Sequence, residues 1–475
     1  VTSLSARALG TLIQNWRTSG PGPAYAALAD RIRLLVLDGR LALGTRLPAE
    51  RELAAHLGLS RTTVSAAYAD LRESGYLDSV RGSGSVVRLP SRGSTAGPDP
   101  IATPDFLDFS KATLPAVPAV AAATERAAAL LPSFLGESGF DPLGLRVLRQ
   151  ALADRYTARG LPTDADEIMI TIGAQHAIGL LARTLLSRGD RALVEAPSYP
   201  HAFEALRASG ARLVPVPVTT DEGWDEPALE QALQRTSPTI GYLMPDYHNP
   251  TGRSMSPELR ERTVELAARQ GTTLVVDETM GELGLDGQPA RPPFAASGRA
   301  VTVGSVGKTV WGGLRIGWIR ADRELIQRAT RVRFALDLGT PILEQLILLE
   351  LLPEYDRILE DRRDYLRAGR DHLVARLAER MPQWNVPHAP GGLTLWVNLG
   401  APVSSQLALA SRNHGLVIAA GPRFGIDGVF ERFIRIPFSQ PADLIDRGVD
   451  ALAAAWGDVA RTPLPTGDEE LAAVV

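Results

Sequence analysis

Of the 50 basic residues in this 475-residue chain, only Lys111 and Lys308 are lysines, and all the others are arginine. A guanidinium stays protonated at any ordinary pH, whereas an ammonium can lose its proton and attack a carbonyl to form a Schiff base. Lys308 stands in 305-SVGKTVWGGLRIGW-318, directly after the apolar run 300-AVTVGS-305, which reads as a buried strand. Lys111 has no such setting and reads as a residue that merely escaped the arginine bias.

A Schiff-base lysine needs a carbonyl partner, and pyridoxal phosphate makes demands that a sequence can be searched for. Its phosphate suits a helix N-terminus and a cation. Its pyridine nitrogen needs a carboxylate, because a nearby negative charge favours the protonated ring. Its ring takes an aromatic face, and its phenolate oxygen a donor. Each of these occurs at the end of a predicted strand, where open α/β sheets bind ligands. After 168-IMITIG-173 comes 173-GAQHA-177, with amides at a helix start; after 192-ALVEAP-197 comes Tyr199. After 240-IGYLMP-245 comes 246-DYHNPTG-252 with Asn249. The run 273-TLVVDE-278 delivers Asp277, and 300–305 delivers Ser305 and Lys308, with Arg315 seven residues on.

The elements that position these residues follow from the same pattern. Helical stretches alternate with the β-branched runs already named and with 213-LVPVPV-218, which predicts a mostly parallel sheet covered by helices. From about 340 onward the pattern becomes helical, with strands near 393-LTLWVNL-399 and 432-RFIRIPF-438, as expected of a smaller α+β lobe. The length exceeds what one core usually holds, so two or more domains are expected. With no cysteine, disulfides and thiolate chemistry are excluded, and the seven histidines fall singly, so no metal site is expected. No apolar run reaches the roughly 18 residues of a membrane span, so the reading is a cytoplasmic protein.

The N-terminal part has a different character. Residues 1–92 hold twelve Arg against seven acidic residues, whereas 93–475 hold 38 basic against 47 acidic. That asymmetry suggests that the N-terminal part meets a polyanion. Helices are predicted over 4–17, about 24–39 and 49–57, then a tight turn at Gly58 and a helix N-capped by Ser60. Two short strands follow in 76-YLDSVRGSGSVVRL-89. Two helices joined at a glycine turn, the second opening Ser60, Arg61, Thr62, Thr63, match a helix-turn-helix whose second helix enters the major groove. Arg61 suits a guanine edge, and the hydroxyls suit phosphates or thymine methyls. The stretch 91-SRGSTAGPDPIATP-104 reads as a linker that can extend about 45 Å. The expected layout is therefore a DNA-binding domain over 1–90, the linker 91–104, a large domain over 105–465 and an acidic tail over 466–475.

Both parts resemble known families. The segment 46-RLPAERELAAHLGLSRTTVSAAYADLRESGYLDSVRGSGSVV-87 is similar to the winged helix-turn-helix of the GntR superfamily. That resemblance implies DNA contacts by Arg46, Arg51, Arg61, Thr62 and the wing around Gly82 and Gly84. Residues 105–460 resemble fold-type I pyridoxal-phosphate enzymes of the aspartate aminotransferase class, including 138-SGFDPLGLRVLRQALADRYTARG-160. By that likeness Lys308 is the Schiff-base lysine, Asp277 pairs with the pyridine nitrogen, Asn249 bonds the phenolate oxygen and Tyr199 stacks on the ring. Ala174, Gln175, Ser305 and Arg315 hold the phosphate, and Arg435 clamps an effector carboxylate. The whole layout resembles the MocR/GabR family of regulators.

Two departures bear on function. The tyrosine that such enzymes place two or three residues beyond the aspartate is replaced by Thr279 and Met280, and the serine before the lysine is Gly307. Three readings stand at this level. The leading one is a homodimeric, effector-responsive transcription factor that binds pyridoxal phosphate, operator DNA and a small amine or amino acid. The second is an aminotransferase with an appended DNA-binding module, and the third a cofactor-free dimerisation scaffold.

Overall fold

The computed structural model describes residues 3–13, 23–37, 41–80, 84–88, 106–289, 291–426 and 428–460. The expected linker, the acidic tail and Gly82 lie outside the described residues. The chain divides into two compact units, Val1–Leu107 with Ser405–Leu416 and Ala451–Val475, and Asp108–Ser404 with Val417–Asp450.

The N-terminal part of the first unit contains helices α1 (Ala6–Leu12), α2 (Ala24–Leu37), α3 (Glu50–Leu57) and α4 (Arg61–Glu73). The helix expected across 4–17 is shorter: α1 starts at Ala6 after the Ser5 N-cap and ends at Leu12 with Ile13 as its C-cap, and residues 14–22 lie outside the described residues. Leu28, Ile32 and Leu35 of α2 share one buried cluster with Val64, Ala67, Tyr68 and Leu71 of α4. Burial of each large side chain stabilises by roughly 1.5–3 kcal/mol, so these apolar stripes decide how the helices pack. Gly10 lets α1 lie against α3, since a Cβ there would meet His56 Nε2 at 2.5 Å. Gly58 ends α3 in the left-handed region at φ 64°, which a glycine adopts without a Cβ penalty. Strands β1 (Leu77–Val80) and β2 (Gly84–Val87) pair antiparallel as the expected wing.

The second unit is built on an eight-stranded sheet. Its strands are β3 (Ile168–Thr171), β4 (Arg191–Ala196), β5 (Arg212–Thr219), β6 (Gly223–Trp224), β7 (Ile240–Leu243), β8 (Thr273–Asp277), β9 (Val301–Ser305) and β10 (Gly317–Arg320). Their order is β3-β10-β9-β8-β7-β4-β5-β6. From β9 through β8, β7 and β4 to β5 all neighbours are parallel. The helix Ala174–Leu185 buries Ala177, Ile178, Leu180 and Leu181 in the same cluster as Val194, Val275, Val303 and Ile319 of the sheet. A smaller antiparallel sheet orders β11 (Thr394–Asn398), β13 (Phe433–Pro437) and β12 (Ala419–Ala420). There Trp396 stacks on Phe433 at 5.2 Å.

All six strands expected between residues 168 and 305 are present, as are those near 393 and 432. Strand β10 was not anticipated. It is four residues long, begins with glycine and runs antiparallel to both β3 and β9, so it is too short to show an alternation of its own. Its glycine has a specific reason. A Cβ on Gly317 would meet backbone atoms of Gly173 at 2.7 Å, Gly304 at 2.8 Å and Ala174 at 2.9 Å. The close approach draws the end of β9 and the start of helix Ala174–Leu185 together. Gly317→Ala therefore has no flexible side chain to push aside, and a loss of about 1–3 kcal/mol is expected for such overpacking. Chemical denaturation followed by the fluorescence of the second unit should show a lowered midpoint. An unchanged midpoint would contradict this packing.

Candidate functional site

The second unit brings the predicted residues to the C-terminal ends of β3, β4, β7, β8 and β9. Lys308 lies on a π-helical turn, Gly307–Trp311, immediately beyond β9. The turn is anchored from the long helix Tyr355–Arg380. Arg362 donates to the carbonyls of Thr309 and Val310, and Thr309 Oγ1 lies 2.7 Å from the Tyr355 hydroxyl. Otherwise unpaired helix-end carbonyls are thereby satisfied, which fixes the turn that presents the lysine.

Lys308 Nζ donates to the Ala112 carbonyl at 2.6 Å. Burial, then the nearby Arg435 charge, depress its pKa to about 8, against the opposing pull of Asp277. Lys111 is different: its side chain is 70% exposed and pairs with Asp108 at 2.8 Å. The first lysine is held where it can give up its proton, and the second is an ordinary surface cation.

Asp277 ends β8 and is buried. The Thr279 amide donates to its Oδ1 at 3.0 Å, and the Tyr242 hydroxyl donates to its Oδ2 at 2.8 Å. Burial raises its pKa, while the Thr279 and Tyr242 hydrogen bonds and Lys308 oppose the rise. Tyr199 precedes the helix Pro200–Ala208, and its phenol is pushed up to about 12 by burial and then by Asp277. It stays protonated at neutral pH. Asn249 is buried after β7, and its Oδ1 accepts from Arg435 Nη1 at 3.4 Å.

Arg435 reaches the site from β13. Its second terminal nitrogen donates to the Ser110 carbonyl, and its guanidinium lies 4.8 Å from the Phe424 ring centroid. Its buried Nε has no hydrogen-bond partner among the described residues. Burial, then the Arg423 charge, push its pKa down to about 10, so it remains a cation at neutral pH. An orphaned donor on a buried cation is costly unless a ligand completes it.

The helix that begins at Ala174 is preceded by Gly173 at φ 83°. Arg315, itself left-handed at φ 53°, donates to the Ile172 carbonyl at 2.8 Å. A Cβ on Gly173 would stand 2.8 Å from its guanidinium. A bare helix start facing an arginine is a phosphate cradle. The Gln175 side-chain nitrogen donates to the His201 carbonyl at 3.0 Å, so at a helix start this residue would offer a phosphate its backbone amide, as Ala174 would. Ser305 is also engaged: its hydroxyl accepts from the Gly307 amide and donates to the Ile316 carbonyl, both at 3.0 Å. It braces the lysine turn, and a phosphate contact would require it to rotate. The cradle, the carboxylate, the phenol, the amide and the lysine together fit pyridoxal phosphate.

Sequence reasoning did not find Tyr242, the 110–112 carbonyls or Phe424. Tyr242 lies mid-strand in an apolar run, where a tyrosine reads as core. The other two depend on chain segments remote in sequence.

In the first unit Ser60 caps α4 by accepting from the Thr63 amide at 3.1 Å and lies 2.7 Å from the Thr62 and Thr63 hydroxyls. Arg61 and Thr62 are exposed, Thr63 is half-buried, and Arg51 is exposed on α3. Arg46 is exposed beside the wing, where a Cβ on Gly84 would meet its Nε at 3.4 Å. Arg33, Arg72 and Arg88 each pair with a carboxylate. Among the described residues no carboxylate pairs with Arg46, Arg51 or Arg61, so their charge is available to phosphates.

Comparison with known proteins agrees with this geometry. Residues 106–452 match the family described as aminotransferase class I and II, and residues 24–87 match the gntR family of bacterial regulatory proteins. The chain is 27% identical to YisV of Bacillus subtilis (strain 168), an uncharacterized HTH-type transcriptional regulator, over 93% of this chain and 98% of that one. It is 32% identical to the probable rhizopine catabolism regulatory protein MocR of Rhizobium meliloti, over 65% of this chain and 68% of that one. Among solved structures, the α-aminoadipate aminotransferase LysN of Thermus thermophilus, complexed with N-(5'-phosphopyridoxyl)-L-leucine, superposes with a TM-score of 0.69. It shares 28% identity and covers 75% of this chain and 94% of that one.

The depressed lysine has a measurable consequence. Only the neutral amine attacks an aldehyde, so the rate at which the cofactor-free protein takes up pyridoxal phosphate should rise with pH through a midpoint near 8. The same shift is a stability term. Between about 8 and the ordinary value of 10.5 the unfolded state holds a proton that the folded state has released. Stability of the cofactor-free protein from this group therefore rises with pH across that window, and Lys308→Met should remove the rise. Stopped-flow absorbance gives the first quantity and denaturation at fixed pH the second. An uptake midpoint near 10.5 would contradict the buried, poised amine.

Proposed function

Because the chain belongs to the aminotransferase class I and II family and carries a gntR-family DNA-binding domain ahead of it, we propose that it is a transcriptional regulator whose second unit binds pyridoxal phosphate and senses a small amine or amino acid. The observation that carries this reading is the joining, in one chain, of a helix-turn-helix with unpaired exposed arginines to a buried lysine ringed by cofactor supports. When bound, the cofactor supplies an aldehyde carbon that captures a primary amine.

In this reading Lys308 is the attachment point, and its neutral amine can yield its place to an effector amine. Asp277 keeps the pyridine nitrogen protonated, Asn249 donates to the phenolate oxygen, and Tyr199 covers the ring. The amides of Ala174 and Gln175 hold the phosphate together with Arg315, and Ser305 does so after rotating. Arg435 takes the effector's carboxylate, which also gives its unpartnered Nε an acceptor. Arg46, Arg51, Arg61, Ser60, Thr62, Thr63 and Gly84 face operator DNA, and Gly82, which lies outside the described residues, is assigned to DNA by the resemblance alone. Thr279 and Met280 stand where aminotransferases place a tyrosine hydroxyl, so control at the phenolate oxygen is weaker, and catalysis needs groups that act in the transition state. Amine capture asks less.

We further propose that the protein is a cytoplasmic homodimer. No described helix is long and apolar enough to cross a membrane. Leu135, Phe140 and Phe334 are 72%, 70% and 57% exposed. Their two segments adjoin, because a Cβ on Gly339 would meet the Asp141 carbonyl. An exposed apolar patch of this kind suits a second subunit. A dimer would present two readers to two half-sites and gain effective concentration.

The second reading, an aminotransferase with an appended DNA module, is supported by the presence of both Lys308 and Asp277 in one buried site and by the likeness to LysN. Footprinting on the DNA upstream of its own gene, combined with steady-state turnover of amino-acid and oxo-acid pairs, separates the two. The regulator reading expects a protected region of two half-sites and turnover far below the roughly 10 s⁻¹ typical of enzymes. Enzyme-like turnover without a footprint would establish the alternative. If Arg61 reads a guanine, Arg61→Ala should weaken operator binding by about 1–3 kcal/mol at fixed salt. Borohydride reduction followed by peptide mapping should place the cofactor label on Lys308. A label on Lys111, or on no peptide, would overturn the site.

A further inference from the structure

The geometry points to Tyr242 as a positioning residue for the cofactor: its hydroxyl, delivered from the strand next to Asp277, orients that carboxylate and keeps it ionised toward the pyridine nitrogen. The inference deepens the proposed function and rests on Asp277 being the pyridine partner.

Strands β7 and β8 run parallel, with Tyr242 opposite Val275. This register places a phenol of the inner strand at the level of the carboxylate two residues further along its neighbour. The Tyr242 hydroxyl donates to Asp277 Oδ2 at 2.8 Å, and the Thr279 amide donates to Oδ1 at 3.0 Å. Tyr242 is fully inaccessible and Asp277 is 5% exposed, so water cannot substitute for either donor. A carboxylate that accepts at both oxygens has its rotation fixed and its charged form favoured. Burial alone would push it toward the neutral acid, which could not hold a protonated ring. The groups facing the phenol keep it a donor: burial, Asp277, Tyr199 and Glu195 all raise its pKa well above the ordinary value.

This also gives the missing aromatic hydroxyl a counterpart. The chain has Thr279 and Met280 where the resemblance expects a tyrosine for the phenolate oxygen, yet it places a phenol against Asp277, the residue that would pair with the pyridine nitrogen. Support is thereby moved from the phenolate end to the nitrogen end. Such an arrangement favours holding the ring protonated over tuning the phenolate.

A buried tyrosine needs a hydrogen-bond partner in any case, so the test must read the cofactor and not only the fold. Protein loaded with pyridoxal phosphate labelled with ¹⁵N in the ring is compared as wild type, Tyr242→Phe and Asp277→Asn. The ring-nitrogen resonance reports protonation directly. Tyr242→Phe should move it toward the unprotonated value and weaken cofactor binding roughly ten- to a hundredfold, the range for losing a hydrogen bond to a charged group. A purely structural tyrosine would lower the melting temperature of the cofactor-free protein and leave resonance and affinity unchanged, and that result would overturn the inference. If Asp277→Asn also leaves the resonance in place, it is the assignment of Asp277 that fails. If only Asp277→Asn moves it, Tyr242 alone is refuted. Should Tyr242→Phe not fold, a fluorinated tyrosine at position 242 keeps the shape and strengthens the donor. It should tighten cofactor binding, and unchanged or weaker binding would count against the role.

Discussion

A buried amine that must be able to lose its proton sets the terms for the second unit. Lys308 lies close to one buried cation, Arg435, and one buried anion, Asp277, and the low accessibility of the site strengthens both influences. Desolvation and Arg435 favour the neutral amine, and Asp277 favours the ammonium. The balance leaves a lysine near 8, whereas an arginine in the same place would remain charged. The surroundings serve this balance. The π-helical turn fixes where the amine points, Arg362 and Tyr355 hold that turn from the long helix, and Gly317 draws the start of helix Ala174–Leu185 toward the end of β9.

Asp277 carries the second half of the same problem. A buried carboxylate is stable as an ion only if its oxygens are satisfied and a countercharge is near. Here the oxygens accept from Thr279 and Tyr242, and the countercharge is the Lys308 ammonium; in the proposed function the protonated ring would take that place. The first unit solves a simpler problem. Its exposed arginines need only remain unpaired to meet phosphates, and the structure commits Asp30, Asp70, Glu50 and Asp78 to other arginines. The proposed sensing in one unit and reading in the other would place separate physical demands on separate surfaces.

Much of this was legible in the sequence because most of the expected cofactor supports follow a strand. A β-branched run that ends in a polar residue is a strong local signal, and Asn249, Asp277 and Lys308 all carry it. The helix-turn-helix was legible for a similar reason: Gly58 and Ser60 mark its turn and its cap by chemistry that acts within a few residues. What escaped detection depends on distant parts of the chain. Tyr242 is indistinguishable from a core tyrosine until strand register places it beside Asp277. Strand β10 has too few residues to show a period. The use of the Ser305 hydroxyl on Ile316 depends on the return of the chain eleven residues later. Even Arg435, whose motif pointed to a carboxylate, did not reveal Phe424 beneath it.

The central claim is that the chemistry of Lys308 controls the response to effector and not the reading of DNA. The most direct measurement is operator affinity with and without pyridoxal phosphate and candidate amines, for wild type and Lys308→Ala at the same salt concentration. A ligand can shift affinity only through its differential binding to two states, so the variant should bind operator about as tightly as the wild type while its affinity no longer changes with amine. A Lys308→Ala protein that responds to cofactor and amine as the wild type does would contradict the account.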